Sequence, residues 1–197
     1  MESVDSKTRI KEIAVRHFDR DGYYGTTIRQ IAGDAGCSLP MIYYYYKNKK
    51  ELFHEIIEHD YFDLLTRQAE QVTAGNILDF YTEFVYELNH LTGYEKAVYR
   101  LGVKVYLGFD GDDELMEMMD QWEKRIAARH LQIVLPHLKD KNGADVIVRT
   151  LIHLLENLIE SIVVKNRRIA KEEIYEELSA ILAGKVRMNK GEHNNGT

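Results

Sequence analysis

Between Thr27 and Lys49 the chain reads TIRQIAGDAGCSLPMIYYYYKNK, and these 23 residues constrain the fold more than any other stretch. Thr27, with Gln30 three residues on, has the pattern of a capping box, so a helix starts here. Ile28, Ile31, Ala32 and Ala35 recur at i, i+3, i+4 and i+7, which puts all four on one face that needs cover. Gly36 supplies the positive φ by which a chain leaves a helix and turns sharply. Ser38 then suits the cap of a second helix, whose first turn takes Pro40 without losing a hydrogen bond. Ile42 and Tyr46, four apart, pack back onto the first helix. Leu39, Met41, Tyr44 and Tyr45 are thereby turned elsewhere.

Upstream, Ile10, Ile13, Ala14, His17 and Phe18 recur at helical spacing between Thr8 and Asp21, and Gly22 ends that run. A first helix thus braces two short ones, and the exposed second short helix is set to enter the major groove of duplex DNA. Phe18, Gly22, Thr26, Thr27, Ile31, Ala32, Ala35, Gly36, Ser38, Tyr43, Tyr46, Lys49 and Leu52 stand at the spacing of the TetR-type transcriptional regulators. The chain resembles that family through about residue 55, and beyond it only in length and helical character.

The resemblance implies an all-α protein with an amino-terminal three-helix helix-turn-helix DNA-binding domain over residues 1–50. A helical effector-binding and dimerisation domain follows over 51–188. It implies DNA contacts from Thr27, Arg29, Ser38, Leu39, Pro40, Met41, Tyr43, Tyr44, Tyr45 and Lys49. Tyr43 and Tyr44 would offer hydroxyls to phosphates, with Tyr45 at the groove edge. Thr27 and Lys49 sit at helix starts, where free amides favour anions. Two departures bear on base choice: Cys37 replaces the usual valine, and Leu39 and Met41 are apolar where many members carry polar base readers. Base choice here leans on Arg29 and on apolar contact with thymine methyls.

The net charge of −6 suits a DNA binder only when it is divided along the chain. Residues 1–50 hold nine Lys/Arg and six Asp/Glu, giving +3; residues 51–197 hold 17 and 26, giving −9. A basic head on an acidic body directs nucleic acid to one end. Hydrophobic content of 45% with 29% charged residues reads as a globular chain. No apolar run approaches the ~18 residues of a membrane helix, and the start lacks a signal peptide's apolar core. The expected location is therefore the cytoplasm, with no membrane partner. The single cysteine excludes an internal disulfide and a multi-cysteine metal cluster.

After Asn48 or Lys49 one long helix is expected, with Leu52, Phe53, Ile56, Ile57 and Phe62 on its inner side. Further helical periodicity runs at about 76–91, 94–108, 112–138, 144–166 and 171–187, with no alternating strand-like run. Residues 189–197 are polar with two glycines and read as a flexible tail. Val146 to Lys165 carries two apolar rows, one through Ile147, Leu151, Leu154, Leu158 and Ile162, the other through Val148, Ile152, Leu155, Ile159 and Val163. Together they exceed what a surface helix of a monomer needs. Leu178 and Ile181 lie on a matching stripe of the next helix. The expectation is a homodimer through the last two helices, with Leu151, Leu155, Leu158, Ile159, Ile162, Leu178 and Ile181 at its interface.

His54 and His59 invite a metal reading, but five residues turn a helix through ~500°, leaving them ~140° out of register. Glu55, His59 and Asp63 share a face that reads more simply as solvated charge. No glycine-rich phosphate loop or nucleophile elbow is evident, so neither enzyme chemistry, nor a metal, nor a cofactor is expected. Phe62, Tyr81, Tyr106, Trp122 and His130 are the candidates for an effector cavity, aromatic walls with few polar anchors being the usual recipe. The function implied is a homodimeric repressor, released from a palindromic double-stranded operator by a small-molecule effector of unknown identity. The alternatives are an activator or effector-independent regulator of the same fold, and a helical metal-dependent enzyme.

Overall fold

The computed structural model describes residues 6–70, 76–108 and 113–186. The regular elements among them are helical, and the β contact is an isolated antiparallel bridge between Leu138 and Val186. The fold is all-α, as the periodicity predicts. The chain divides into two compact units: Met1–Ala69 with Leu91–Trp122, and Glu70–His90 with Glu123–Thr197. The tail expected over 189–197 lies outside the described residues.

In the first unit, α1 (Ser6–Gly25) breaks helical geometry at Gly22, where φ is 74° and ψ 170°. A residue without Cβ takes that conformation freely. At α2 (Ile28–Asp34) the capping box is closed: Gln30 N donates to Thr27 Oγ1 at 3.3 Å, and Thr27 N to Gln30 Oε1 at 2.8 Å. Ser38 caps α3 (Leu39–Tyr45), with Pro40 in its first turn. Asn48 caps α4 (Lys49–Glu55), accepting from Glu51 N at 2.9 Å. Ile10, Ala14, Val15 and Phe18 of α1 are buried with Ile31, Ala32, Ala35, Ile42, Tyr46, Leu52 and Phe53. Burial of the larger of these side chains contributes ~1.5–3 kcal/mol each, which holds three short helices that would not persist alone.

The expected single long helix from Lys49 is interrupted. It passes through a π-helical turn at Ile56–Tyr61 before resuming as α5 (Phe62–Glu70). A π turn admits an extra residue and re-aims the side chains around it. Here Asp60 accepts from Lys11 Nζ at 2.7 Å and from Tyr94 Oη at 2.8 Å. Tyr61 places its ring against Gly102 of α7 (Gly93–Tyr106). The same helix grips α1: Arg100 Nε donates to Asp19 Oδ1 at 3.0 Å, and Lys104 Nζ to the Asp19 carbonyl at 2.5 Å.

Helix α8 (Asp113–Val134) contributes residues 113–122 to the first unit and continues in the second. The second unit also holds α6 (Ile77–Glu87), α9 (Ala144–Val163) and α10 (Lys171–Leu182). Leu78, Tyr81 and Val85 of α6 are buried, as are Ile174, Leu178 and Leu182 of α10. Asn89 staples the chain ahead of α10: its Nδ2 donates to Ile169 O at 3.1 Å, and its Oδ1 accepts from Ile169 N at 3.2 Å.

The wide apolar surface of α9 is accounted for differently from the expectation. Leu151, Leu155, Leu158, Ile159 and Ile162, together with Leu178, are buried within the unit itself, where α9 packs on both α6 and α10. Of the seven residues expected to face a second copy, Ile181 alone keeps appreciable surface. A helix that touches two neighbours needs an apolar arc about twice as wide as one that lies on a single layer, and that is what the two rows supply. No helix among the described residues is long and apolar enough to cross a membrane.

Candidate nucleic-acid interface

The two short helices have opposite fates. α2 gives Ile31 and Ala32 to the interior, while the only fully buried side chain of α3 is Ile42. Met41 is 40%, Tyr43 53% and Tyr44 83% exposed. Leu39 and Tyr45 are half-buried, and Ser38 and Pro40 are exposed. Tyr46, the fourth of the consecutive tyrosines, is buried at the end of α3. Successive residues on a helix diverge by ~100°, so the run Tyr43–Tyr46 divides between surface and core. Thr27 and Arg29 are both exposed at the start of α2.

This surface stands on a rigid base. His17, buried in α1, brings Nε2 within 2.7 Å of Asp34 Oδ2 at the end of α2, while Arg20 Nη2 lies 3.1 Å from its Nδ1. The hydrogen bond from Arg20 holds the neighbouring Asp21 carboxyl down at about 2. Thr26, fully buried, donates through Oγ1 to Gly22 O at 2.9 Å. Lys49, expected to meet phosphate, here donates from Nζ to Tyr23 O at 2.7 Å and to Thr26 O at 2.9 Å, and lies 4.3 Å from the centroid of the Tyr23 ring. The backbone carbonyls of the turn before α2 attract the ammonium because that turn leaves them without helical partners. Sequence spacing carries no signal for this contact, which joins residues 26 and 23 positions apart. It also misses Tyr24, which is 76% exposed in the last turn of α1.

The five effector candidates fall into two pairs and a remainder. Phe62 and Trp122 stack in the first unit, centroids 4.6 Å apart. Tyr81 and His130 pair in the second, with Tyr81 Oη 2.7 Å from His130 Nδ1. Burial, with Arg129 nearby, pushes His130 down to about 4, and burial raises Tyr81, so both are neutral at neutral pH. Tyr106 is 46% exposed. The row Glu55, His59, Asp63 crosses the π turn, which takes it out of α-helical register. No group of three His, Cys, Asp or Glu among the described residues is placed to hold a metal ion.

Residues 10–56 match the sequence profile of a family described as bacterial regulatory proteins, tetR family. The chain is 44% identical over 59 residues to an HTH-type transcriptional repressor of Streptomyces coelicolor, covering 30% of this chain and 31% of that one. It is 26% identical over 87 residues to IcaR of Staphylococcus epidermidis, the negative transcriptional regulator of the biofilm operon icaADBC, covering 42% of this chain and 47% of that one. The chain thus spans less than half the length of these curated relatives. In fold it is similar to a TetR-like transcriptional regulator from Rhodococcus sp. RHA1, with TM-score 0.70 and 18% identity over 94% of this chain and 100% of that one.

Proposed function

We propose that the chain, whose residues 10–56 match the profile of the tetR family of bacterial regulatory proteins, is a cytoplasmic transcriptional regulator of that family that reads duplex DNA, most simply as a repressor. The observation that carries this reading is the division of α3: Ile42 anchors it, while Met41, Tyr43 and Tyr44 face solvent on a base tied by His17 and Lys49. α3 enters the major groove; Leu39, Met41 and Tyr45 meet base edges, Arg29 reads from the start of α2, and Thr27, Tyr43 and Tyr44 meet phosphates. Ser38 and Pro40 fix the entry of α3 at the groove.

Two copies bind a palindrome with half-sites about one helical turn apart. Because Leu151, Leu155 and Leu158 of α9 are buried within the subunit, the seam proposed is the uncharged stripe beside them: Ile147, Thr150, Leu154, Asn157 and Val164, at three-, four- and seven-residue spacing as in a coiled coil. Sedimentation of the full chain tests this, a species of 23.0 kDa at micromolar concentration refuting it. A small-molecule effector engages the neutral Tyr81–His130 pair and lowers operator affinity by the difference in its own affinity for the two states.

Fluorescence anisotropy on the DNA upstream of the chain's own coding sequence tests the DNA reading. Affinity should fall steeply between 50 and 200 mM salt, as phosphate neutralisation requires, by a factor on the order of 10³ for about six contacts. Arg29→Ala should relax preference at particular base pairs by about 1–3 kcal/mol. Binding indifferent to both salt and sequence would remove the proposal.

A further inference from the structure

The last turn of α1, past the break at Gly22, holds one large side chain almost wholly in water. Tyr24 is 76% exposed, whereas its neighbour Tyr23 packs over Phe53 with ring centroids 5.0 Å apart. A lone exposed aromatic is ordinary on a loose loop, but this backbone is held from several directions. Gly22 sets the turn at φ 74°. Thr26 Oγ1 donates back to Gly22 O at 2.9 Å, and Lys49 Nζ ties both Tyr23 O and Thr26 O to the start of α4. Tyr24 itself rests edge-on against Tyr23 at 5.3 Å.

We propose that the Gly22–Thr26 turn is a further DNA-contacting element, in which Tyr24 donates its phenolic hydroxyl to a backbone phosphate and Lys49 acts as the positioning residue that holds the turn. The inference rests on the reading of this chain as a binder of duplex DNA. Tyr24 stands three residues before Thr27, so its Cα lies within about 11 Å of the exposed cap of α2. A side chain there is within reach of the strand that Thr27 would meet. Arg29 is exposed two residues beyond Thr27, and residues 1–50 carry a net charge of +3. A neutral donor on such a surface suits a phosphate oxygen, the acceptor to which half or more of protein–DNA hydrogen bonds go. One isolated ring is too small for a protein-docking patch.

The test uses the full chain, with Tyr24→Phe, Tyr24→Ala and Lys49→Met, against a labelled duplex of its own upstream DNA and a scrambled duplex of equal length. Tyr24→Ala and Tyr24→Phe should each weaken binding about tenfold, the worth of one hydrogen bond to a charged group. The loss should be equal on both duplexes, since phosphate carries no sequence information, and the salt slope should be unchanged, since the phenol is neutral. Thermal melting of both variants should match the wild type, because the ring is mostly in water. Lys49→Met should cost much less affinity when Tyr24 is already alanine. Wild-type affinity in Tyr24→Phe, a loss confined to one sequence, or additive losses in the double variant would each overturn the inference while leaving the DNA reading intact. Failure of the wild-type chain to bind either duplex would overturn both.

Discussion

Gly102→Ala should destabilise the protein, although the same change in an open helix stabilises it. Replacing glycine by alanine within a helix ordinarily gains about 1 kcal/mol. At Gly102 in α7, however, a Cβ would lie 2.5 Å or less from three atoms of the Tyr61 ring. Carbon atoms rest about 3.5–4.0 Å apart, so the ring must retreat by roughly 1 Å. Tyr61 is buried, with Phe62 and Tyr99 rings at centroid distances of 5.5 and 5.9 Å, and its backbone belongs to the π turn. At 7% exposure the ring has little open space to move into. Overpacking of this kind costs about 1–3 kcal/mol, which offsets the helical gain and leaves a net loss of about 1 kcal/mol, or a melting point lower by roughly 2–4 °C for a chain of this length. Gly33→Ala is the control: nothing lies within 4 Å of a Cβ there, so α2 should gain about 0.5–1 kcal/mol. Thermal denaturation of both variants and of Tyr61→Leu/Gly102→Ala decides the matter. If Gly102→Ala melts at or above the wild type, or if its cost persists once Tyr61 is leucine, the packing argument is wrong.

Stability should fall on mild acidification. His130 is held at about 4 in the folded chain by burial, against ~6.5 in an unfolded one. The unfolded state therefore takes up the proton first, and stability present above pH ~6.5 is lost as pH falls toward 4, by roughly 3 kcal/mol. His130→Gln, which keeps an acceptor for Tyr81, should flatten urea-unfolding free energies over that window; an unaltered slope would assign the loss to other groups. Asn89→Ala strips Ile169 of both backbone partners, which should cost about 1–3 kcal/mol. Amide exchange at Ile169 should accelerate accordingly, and unchanged protection there would show that the staple is not what holds this stretch.

Much of the head is legible along the chain because its determinants are local. A capping box, a glycine turn and a proline in a first turn each act within a few residues, so Thr27 with Gln30, Gly36, and Ser38 with Pro40 lie as their spacing predicts. Periodicity likewise assigns Ile42 and Tyr46 to the interior and leaves Met41 and Tyr44 outside. Helical periodicity also locates the later elements, since an apolar stripe must be covered by something.

What covers each stripe was settled only by tertiary packing. Two apolar rows on α9 suit a second copy or two neighbours in the same unit equally well, and the folded chain uses α6 and α10. The π turn at Ile56–Tyr61 has no signature in spacing, because its stability comes from groups distant in sequence: Lys11 and Tyr94 on Asp60, and the space that Gly102 leaves for Tyr61. Lys49 follows the same logic, its ammonium drawn to carbonyls more than twenty positions back. Hydrogen bonds within a turn depend on the order of neighbouring residues. Burial and ion pairing depend on which distant surfaces meet, and only the folded chain decides that.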